Sequence, residues 1–483
     1  MLNSLYVGSE IKKIFFEQKI LNLPDNAHVS QISTDTRSIN PDALFIALKG
    51  EKMDGHDFTS IAIKKGASVV VVERIDPETE QLAFDKGTGI VFVNSTLDAL
   101  FDIARYNRAR MDGKNVKVIA ITGTIGKTTV TQWIHKLLSK FFNMGLCVQG
   151  YNNHIGMCIN LSNSYKNSDV VVLEMGMNHV GEIDFLSSIA RPHIAIVTNI
   201  TPVHLGTGDF AKIEQIAEAK SEIFNHLHED GIVILNKANS YYSILLEKAK
   251  KNGIKKIITV GNSDSNIYIQ NTVSELYKTS FDVVVKFGDK VDVNSYVINA
   301  LARHQAFNIT FMVAIAKLFK LDKGVLENEI KTSTMVKGRG DVEYVRTQDG
   351  KKVIVINDTY NASPESVKMS IETLSVVYIK PEECDRRVLI FGDMLELGEF
   401  SSQYHLEVAE HVNTLGNIKA VFTVGEFSKI THDNLKNEIE KKHYATRNEL
   451  LNDLKNILQN KDVVLVKGSN SIGLDKVIEK LYK

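Results

Sequence analysis

The sequence predicts an α/β protein of three domains, and three observations carry that expectation. One is length, because 483 residues exceed what a single hydrophobic core sustains and suggest about three domains. Another is a strand, turn and helix unit over 116–142. There Val118-Ile119-Ala120-Ile121 runs into Thr122-Gly123-Thr124-Ile125-Gly126-Lys127-Thr128-Thr129, and apolar residues then recur at the helical period at Val130, Trp133, Ile134, Leu137, Leu138 and Phe141. The last is the final third of the chain, where apolar runs at 353–358, 387–392, 421–425 and 463–468 alternate with helical stretches. That alternation is the mark of a parallel, Rossmann-like sheet. No Gly-x-Gly-x-x-Gly follows any of these strands, so an NAD site is not expected.

Composition narrows the function classes. Hydrophobic content of 43% and charged content of 24% are those of an ordinary globular protein. A net charge of −1, with acids and bases interspersed, leaves no electrostatic footprint for general nucleic-acid binding. Cys147, Cys158 and Cys384 have no paired spacing for zinc or a disulfide framework, which fits a reducing compartment. The first residues lack a basic segment followed by an apolar core, and no run is long enough to span a bilayer. The expectation is a cytoplasmic protein, not membrane-embedded, with small-molecule substrates. Low-complexity tracts and fixed-period repeats are absent, which excludes solenoids and disordered tails.

In chain order, the first domain is expected over 1–95. Apolar runs at 44–48, 69–72 and 90–93 read as strands, with the polar turn Ser33-Thr34-Asp35-Thr36-Arg37 before them and Asp54-Gly55-His56-Asp57-Phe58 in a loop. On their own these are a turn, a strand and a loop.

The central domain is expected over 96–333. Its glycine-containing turn suits a polyphosphate: Gly123 and Gly126 let backbone N–H groups point inward, and the helix N-terminus adds partial positive charge. Lys127 can reach terminal phosphates and Thr128 can bind Mg2+. A chance Gly-Lys-Thr at a helix start is the alternative, and the strict consensus is not met, since it wants glycine where Ile121 stands. Downstream, Asn152 and Asn153 lie in a polar cluster, Gly150-Tyr151-Asn152-Asn153-His154-Ile155-Gly156. The apolar run 170–173 ends in Glu174, where a parallel strand would present a metal ligand or merely a solvated acid. A further strand, 194–199, delivers His204, and a lone histidine after a strand is more often structural. The helix expected over 210–226 carries Ile213, Ile216, Ala217, Ile223 and Phe224 on one stripe, with Lys220 among them. A lysine there ordinarily snorkels to solvent. A helix opening at Ala302 carries Phe307, Phe311, Ala314, Ile315 and Leu318 on one face.

Thr-Gly-Thr-x-Gly-Lys-Thr-Thr resembles the ATP loop of the Mur ligases and of their folylpolyglutamate synthase relatives, and other motifs follow in that family's order. The resemblance implies a three-domain Mur ligase architecture: a small N-terminal UDP-binding domain (1–95), a central P-loop ATPase-like domain (96–333) and a C-terminal Rossmann-like domain (334–483). It implies ATP binding by Gly123, Thr124, Ile125, Gly126, Lys127, Thr128 and Thr129, with His304 and Asn308 on the adenine-side helix and Arg339 and Asp358 from the last domain. Mg2+ would be held by Thr128, Glu174, His204 and a carbamylated Lys220, and the catalytic residues would be Lys127, His204 and Lys220. A D-[ST]-R turn and an F-x-A-L-x-G strand hold UDP in the family; here Asp35-Thr36-Arg37 and Phe45-Ile46-Ala47-Leu48-Lys49-Gly50 resemble them. Arg37 would meet the diphosphate and Thr36 the uracil.

The last domain carries Lys337-Gly338-Arg339-Gly340, Asp358-Thr359-Tyr360-Asn361-Ala362-Ser363-Pro364 and Gly392-Asp393-Met394-Leu395-Glu396-Leu397-Gly398. The latter two resemble segments of the family branch that adds a D-alanyl-D-alanine dipeptide. Tyr360, Asn361 and Ala362 would then contact the substrate, as would Asn152 and Asn153. Three positions depart from the family pattern: His154 where an acid is usual, Ala302 where glycine is usual, and Asn470 where Lys467-Gly468-Ser469 is usually followed by arginine. The implied activity is ATP-dependent ligation of the dipeptide to UDP-N-acetylmuramoyl-tripeptide by a monomer, with the tripeptide's third residue, meso-diaminopimelate or lysine, left open. Alternatives at this stage are a sibling ligase adding one amino acid, a folylpolyglutamate synthase, a P-loop switch or transport ATPase, and an inactive binding module.

Overall fold

A computed structural model describes residues 4–165, 167–202, 209–301, 306–333 and 337–482. Three large sheets follow one another along the chain, beside a short antiparallel pair of Tyr6–Val7 with His28–Val29. The first has five strands in the order Lys19–Leu21, Gly89–Phe92, Val69–Val72, Ala43–Ile46 and Gln31–Ser33, all parallel except the antiparallel edge Lys19–Leu21. Val69–Val72 is buried at every residue, as a continuous β-branched run covered on both faces should be.

The central sheet has eight strands in the order Lys290–Ile298, Lys278–Phe287, Ile267–Glu275, Lys256–Gly261, Ile232–Asn236, Ile194–Val197, Lys117–Thr122 and Val170–Glu174. Its parallel part is sandwiched. Val118 and Ala120 face one core, shared with helices of the N-terminal region, while Ile119 and Ile121 face Val130, Trp133, Ile134 and Leu137 of the helix Lys127–Leu138. Phe141, expected on that helix's buried stripe, lies beyond its end and is exposed. The helix Ala306–Leu318 is buried on almost every side against the same core. Sequence reasoning did not anticipate the antiparallel extension over 267–298. The signal was present: Thr279, Phe281, Val283 and Val285 alternate inward at period two.

The third sheet runs Asp341–Arg346, Lys352–Asp358, Asp462–Lys467, Arg386–Gly392, Ile418–Val424 and Glu440–Tyr444, parallel except for its first strand. Four of these strands match the four expected apolar runs. The tip of the central hairpin reaches into this domain. Leu276 is buried in the third domain's core with Val377 and Ile379, and the Tyr378 N–H donates to the Ser274 carbonyl at 3.2 Å. A separate brace joins the first domain to the central one. The Asn163 carboxamide accepts from the Ile32 N–H and donates to its carbonyl (2.8 and 2.9 Å), and the Tyr6 hydroxyl donates to the Ser162 carbonyl at 2.8 Å.

Candidate active site

The strand Lys117–Thr122 has Val170–Glu174 on one side and Ile194–Val197 on the other, so the chain leaves it in one direction and returns in the other. A crevice at such a switch point, outside the strands' carboxyl ends, is where ligands bind. The loop 123–126 sits there. Gly123 has φ +140° and a Cβ on it would stand 2.1 Å from the Thr198 hydroxyl; Gly126 has φ +91° and a Cβ on it would stand 2.9 Å from Asn308 Oδ1. Both positions therefore require glycine on conformational and steric grounds. The loop is fastened from the next strand: the Thr124 N–H donates to the Asn199 carbonyl at 2.6 Å, and the Thr198 hydroxyl donates to the Ile125 carbonyl at 2.7 Å. Asn199 and Thr198 were not singled out by sequence reasoning. Their only signal was their place at the end of an apolar run.

Lys127 folds back over the loop, donating to the carbonyls of Gly123 (2.8 Å) and Thr124 (3.1 Å). Burial pulls its pKa below the usual lysine value, with the Glu174 carboxylate opposing and the Arg339 guanidinium adding to the effect. The Thr128 hydroxyl donates to Glu174 Oε1 at 3.1 Å, and the Asn152 amide donates to the same oxygen at 2.9 Å. Asn153 caps the helix His154–Ser162, accepting from the Gly156 N–H at 2.8 Å, while His154 packs edge-on to Phe101.

Lys220 lies on the helix Ile213–Ser221, which starts later than expected and tightens to a 3-10 turn over Glu222–Phe224. It is 4% exposed, and burial followed by repulsion from Lys127 holds its pKa well below the ordinary lysine value. Among the described residues no hydrogen bond or ion pair reaches its ammonium. The snorkelling alternative is thereby overturned for this side chain, since it does not reach solvent.

One cleft of about 1180 Å³ is lined by this loop, by Asn152, Asn153, His154, Glu174, Lys220 and Asn308, and by Arg339, Asp358, Tyr360 and Asn361 of the third domain. Arg339 stands 4.1 Å from the Tyr360 ring centroid. Asp358 Oδ2 accepts from Lys467 at 2.7 Å and from the Ser370 hydroxyl at 2.5 Å. Lys467 is thus a site residue that the sequence reading passed over while quoting its segment. Asn470, three residues on, is exposed and does not line the cleft.

Several expected residues stand elsewhere. His204 and His304, with Ala302, lie outside the described residues. Thr36 and Arg37 do not line the cleft; Arg37 is turned to solvent and paired with Asp35 at 2.7 Å, which holds the Asp35 carboxyl below its usual range. Ala362 is 4% exposed in the third domain's core, so its side chain does not meet the cleft. Asp393 and Met394 are also buried: the Asp393 carboxylate accepts from the N–H groups of Glu426 (2.9 Å) and Ser428 (2.7 Å). Their segment reaches the cleft through Glu396 instead. Among the described residues no group of three His, Cys, Asp or Glu side chains is gathered for a metal. The oxygens of Thr128 and Glu174, side by side at the strand end, suit Mg2+ as partners to phosphate oxygens.

Comparison with known proteins places these features in context. Residues 28–108 match the Mur ligase family catalytic domain, 121–316 the Mur ligase middle domain and 342–470 the Mur ligase glutamate ligase domain. The UDP-N-acetylmuramoyl-tripeptide--D-alanyl-D-alanine ligase of Rickettsia prowazekii is 31% identical over 462 residues, covering 95% of this chain and 96% of the relative. That of Bacillus subtilis is 32% identical over 457 residues, covering 94% and 93%. Among solved structures, MurF from Acinetobacter baumannii superposes with a TM-score of 0.83 at 25% identity, covering 99% of this chain and 98% of that one.

Proposed function

The chain belongs to the Mur ligase family, and from that premise we infer that it joins D-alanyl-D-alanine to UDP-N-acetylmuramoyl-tripeptide with ATP, completing a peptidoglycan precursor. The observation that carries this reading is the shared cleft, in which the phosphate loop faces Arg339, Asp358 and Tyr360 of another domain. A carboxylate is a poor electrophile, so the tripeptide's terminal carboxylate first takes the γ-phosphoryl group of ATP. The dipeptide amine then attacks the acyl phosphate, and the tetrahedral intermediate expels phosphate. The first step joins two anions, and Lys127 with the loop's N–H groups stabilises the charge that builds on the transferring group. Because residues from two domains line the cleft, closure of one domain on the other excludes water from a reactive intermediate.

Thr128 and Glu174 are the described residues that would hold Mg2+, with His204 and Lys220 as further ligands; bound there, the ion supplies charge neutralisation at the phosphates. Lys220 in this reading is a carbamate. Burial and the nearby Lys127 charge favour the neutral amine over the ammonium, and the neutral amine is the form that adds CO2, releasing a proton and leaving an anion. The cleft position of Asn308 supports a nucleotide role, as does its carboxamide against Gly126 of the phosphate loop. Thr36 and Arg37 are kept as the UDP contacts on the family resemblance, although they stand apart from the cleft. The domains are taken as 1–95, 96–333 and 334–483, limits within which the three sheets fall. No helix among the described residues is long and apolar enough to cross a membrane, and three free thiols suit the cytoplasm. We take the enzyme to act as a monomer.

The test is phosphate release with ATP and UDP-N-acetylmuramoyl-tripeptide, with and without D-alanyl-D-alanine. Release should depend on the dipeptide and should not be supported by single amino acids. Faster turnover with a free amino acid would move the chain to a sibling activity.

A further inference from the structure

Resting on that reading, we propose that Asn239 is a positioning residue for ATP: from the turn after a neighbouring strand, and acting through Asn199, it sets the shape of the phosphate loop. A loop that cradles phosphates works through the direction of its N–H groups, so whatever fixes its backbone bears on nucleotide binding. Here the fixing comes from the chain beyond the strand Ile194–Val197. Besides the Thr124 N–H on the Asn199 carbonyl, Ile125 pairs with Asn199 in an isolated antiparallel bridge, and the Thr201 N–H donates to the Thr124 hydroxyl at 3.2 Å. The paired register of that strand with both of its neighbours ends at Val197, so residues 199–201 need another anchor.

Asn239 supplies it. It stands in the turn between the strand Ile232–Asn236 and the helix Tyr242–Lys251. Its amide nitrogen donates to the Ile200 carbonyl at 2.8 Å and to Asn199 Oδ1, and its oxygen accepts from the Tyr241 N–H at 3.0 Å. Both amide hydrogens are thus engaged with residues 199 and 200. Asn236 adds a third amide: its oxygen accepts from the Ala238 N–H at 2.9 Å and its nitrogen donates to Asn199 Oδ1 at 3.3 Å. The backbone partners at Ile200, Tyr241 and Ala238 decide which end of each outer amide is nitrogen, so the oxygen of Asn199 is the end that faces them both. The turn is itself held. The Lys237 N–H donates to the Val260 carbonyl at 2.7 Å, and a Cβ on Gly261 would stand 2.7 Å from the Ala238 nitrogen, so the next strand packs tightly against it.

A simpler role for Asn239 is to close the turn ahead of the helix, for which its oxygen alone is sufficient. The nitrogen separates the two roles, and exchanging it for oxygen is the decisive change. Asn239→Asp keeps the side chain's size and its bond from Tyr241 but sets an acceptor against two acceptors.

The experiment compares Asn239→Asp and Asn239→Ala with the wild-type enzyme by calorimetry, using ADP, adenosine and UDP-N-acetylmuramoyl-tripeptide as separate probes. The expected result is ADP binding weakened about 10-fold or more in both variants, the consequence of two acceptors losing their donor, with adenosine and the UDP substrate unchanged. Wild-type ADP affinity in Asn239→Asp would overturn the assignment and leave Asn239 a turn residue. Equal weakening of ADP and adenosine would overturn it in favour of direct contact with the nucleoside. If Asn239→Asp weakens all three probes, Asn239→Ala, which brings no charge, decides by the same comparison, and weakening of all three there as well would overturn the assignment as a general loss of fold. A wild-type enzyme that binds ADP but does not ligate D-alanyl-D-alanine would instead overturn the functional reading, with the brace on the phosphate loop still tested by the nucleotide probes.

Discussion

Lys220 of the central domain is 4% exposed and Lys467 of the third domain 2%, yet they stand in different electrostatic surroundings. Lys467 has the Asp358 carboxylate at 2.7 Å and the Asn361 carbonyl at 3.1 Å. Lys220 is lowered in pKa by burial first and then by the like charge of Lys127. Both lie at the cleft side of an α/β domain. A buried lysine with its counter-ion is a finished structural pair, whereas a buried lysine facing another cation is stable only as a neutral amine or a modified one.

The largest effect expected from breaking this contrast is at Lys127, whose charge depresses Lys220 and, in the function proposed above, serves phosphoryl transfer. Lys127→Ala should lower the ligation rate on the order of 10³-fold or more. Binding of the UDP substrate, followed by calorimetry, should change little, because the proposed uridine contacts lie in another domain; equal loss of both would count against that division. Next is Lys220→Ala, which should be nearly inactive and partly restored by a short carboxylic acid that takes the carbamate's place. Activity without added acid, or an intact mass and density map of the active Mg2+-bound enzyme showing a plain lysine, would remove the carbamate.

Stability should separate Lys467 from Lys220. Lys467→Met leaves Asp358 buried without its cation and should cost about 3–5 kcal/mol in urea unfolding. Lys220→Met removes a buried amine that no described residue pairs and should be neutral or stabilising. Similar losses in the two variants would dissolve the distinction drawn between them.

The smallest effect concerns the far end of the central sheet. His193, just before the strand Ile194–Val197, accepts from the Val118 N–H at 3.1 Å and stacks on His228. Burial first, then nearby cations, lower its pKa from 6.5 to about 4. A depressed folded value means that its contribution is complete above pH 6.5 and is lost as pH falls toward 4. Urea midpoints should therefore decline over that window, and His193→Gln should flatten part of the slope. An identical pH profile in the variant would assign the decline to other groups.

The phosphate loop was legible because its chemistry dictates local sequence: two glycines at left-handed positions, then lysine and threonine at a helix start. The third domain's four central strands were legible because strands buried on both faces are uninterrupted apolar runs. What escaped was whatever depends on which way a side chain turns. Ala362, Asp393 and Met394 sit in segments that do approach the cleft, but they are buried, and it is Asp358, Tyr360, Asn361, Ser363 and Glu396 of those segments that line it. Lys467 escaped because its role is set by Asp358, 109 positions away in sequence. The hairpins over 267–298 escaped because they are half-exposed and their alternation is weaker than a buried run.

The hairpin tip bears on how the chain is made. Leu276 belongs to the central sheet by connectivity and, like Leu301, to the third domain by packing, so the last domain's core lacks side chains until the middle of the chain has formed its hairpin. Synthesis from the N-terminus meets that requirement in order, since the tip emerges from the ribosome before any strand of the last domain. A C-terminal fragment made alone from 334 onward would lack Leu276 and Leu301 from its core and leave the Tyr378 N–H without its Ser274 partner, and should be strongly destabilised until the missing segment is supplied in trans.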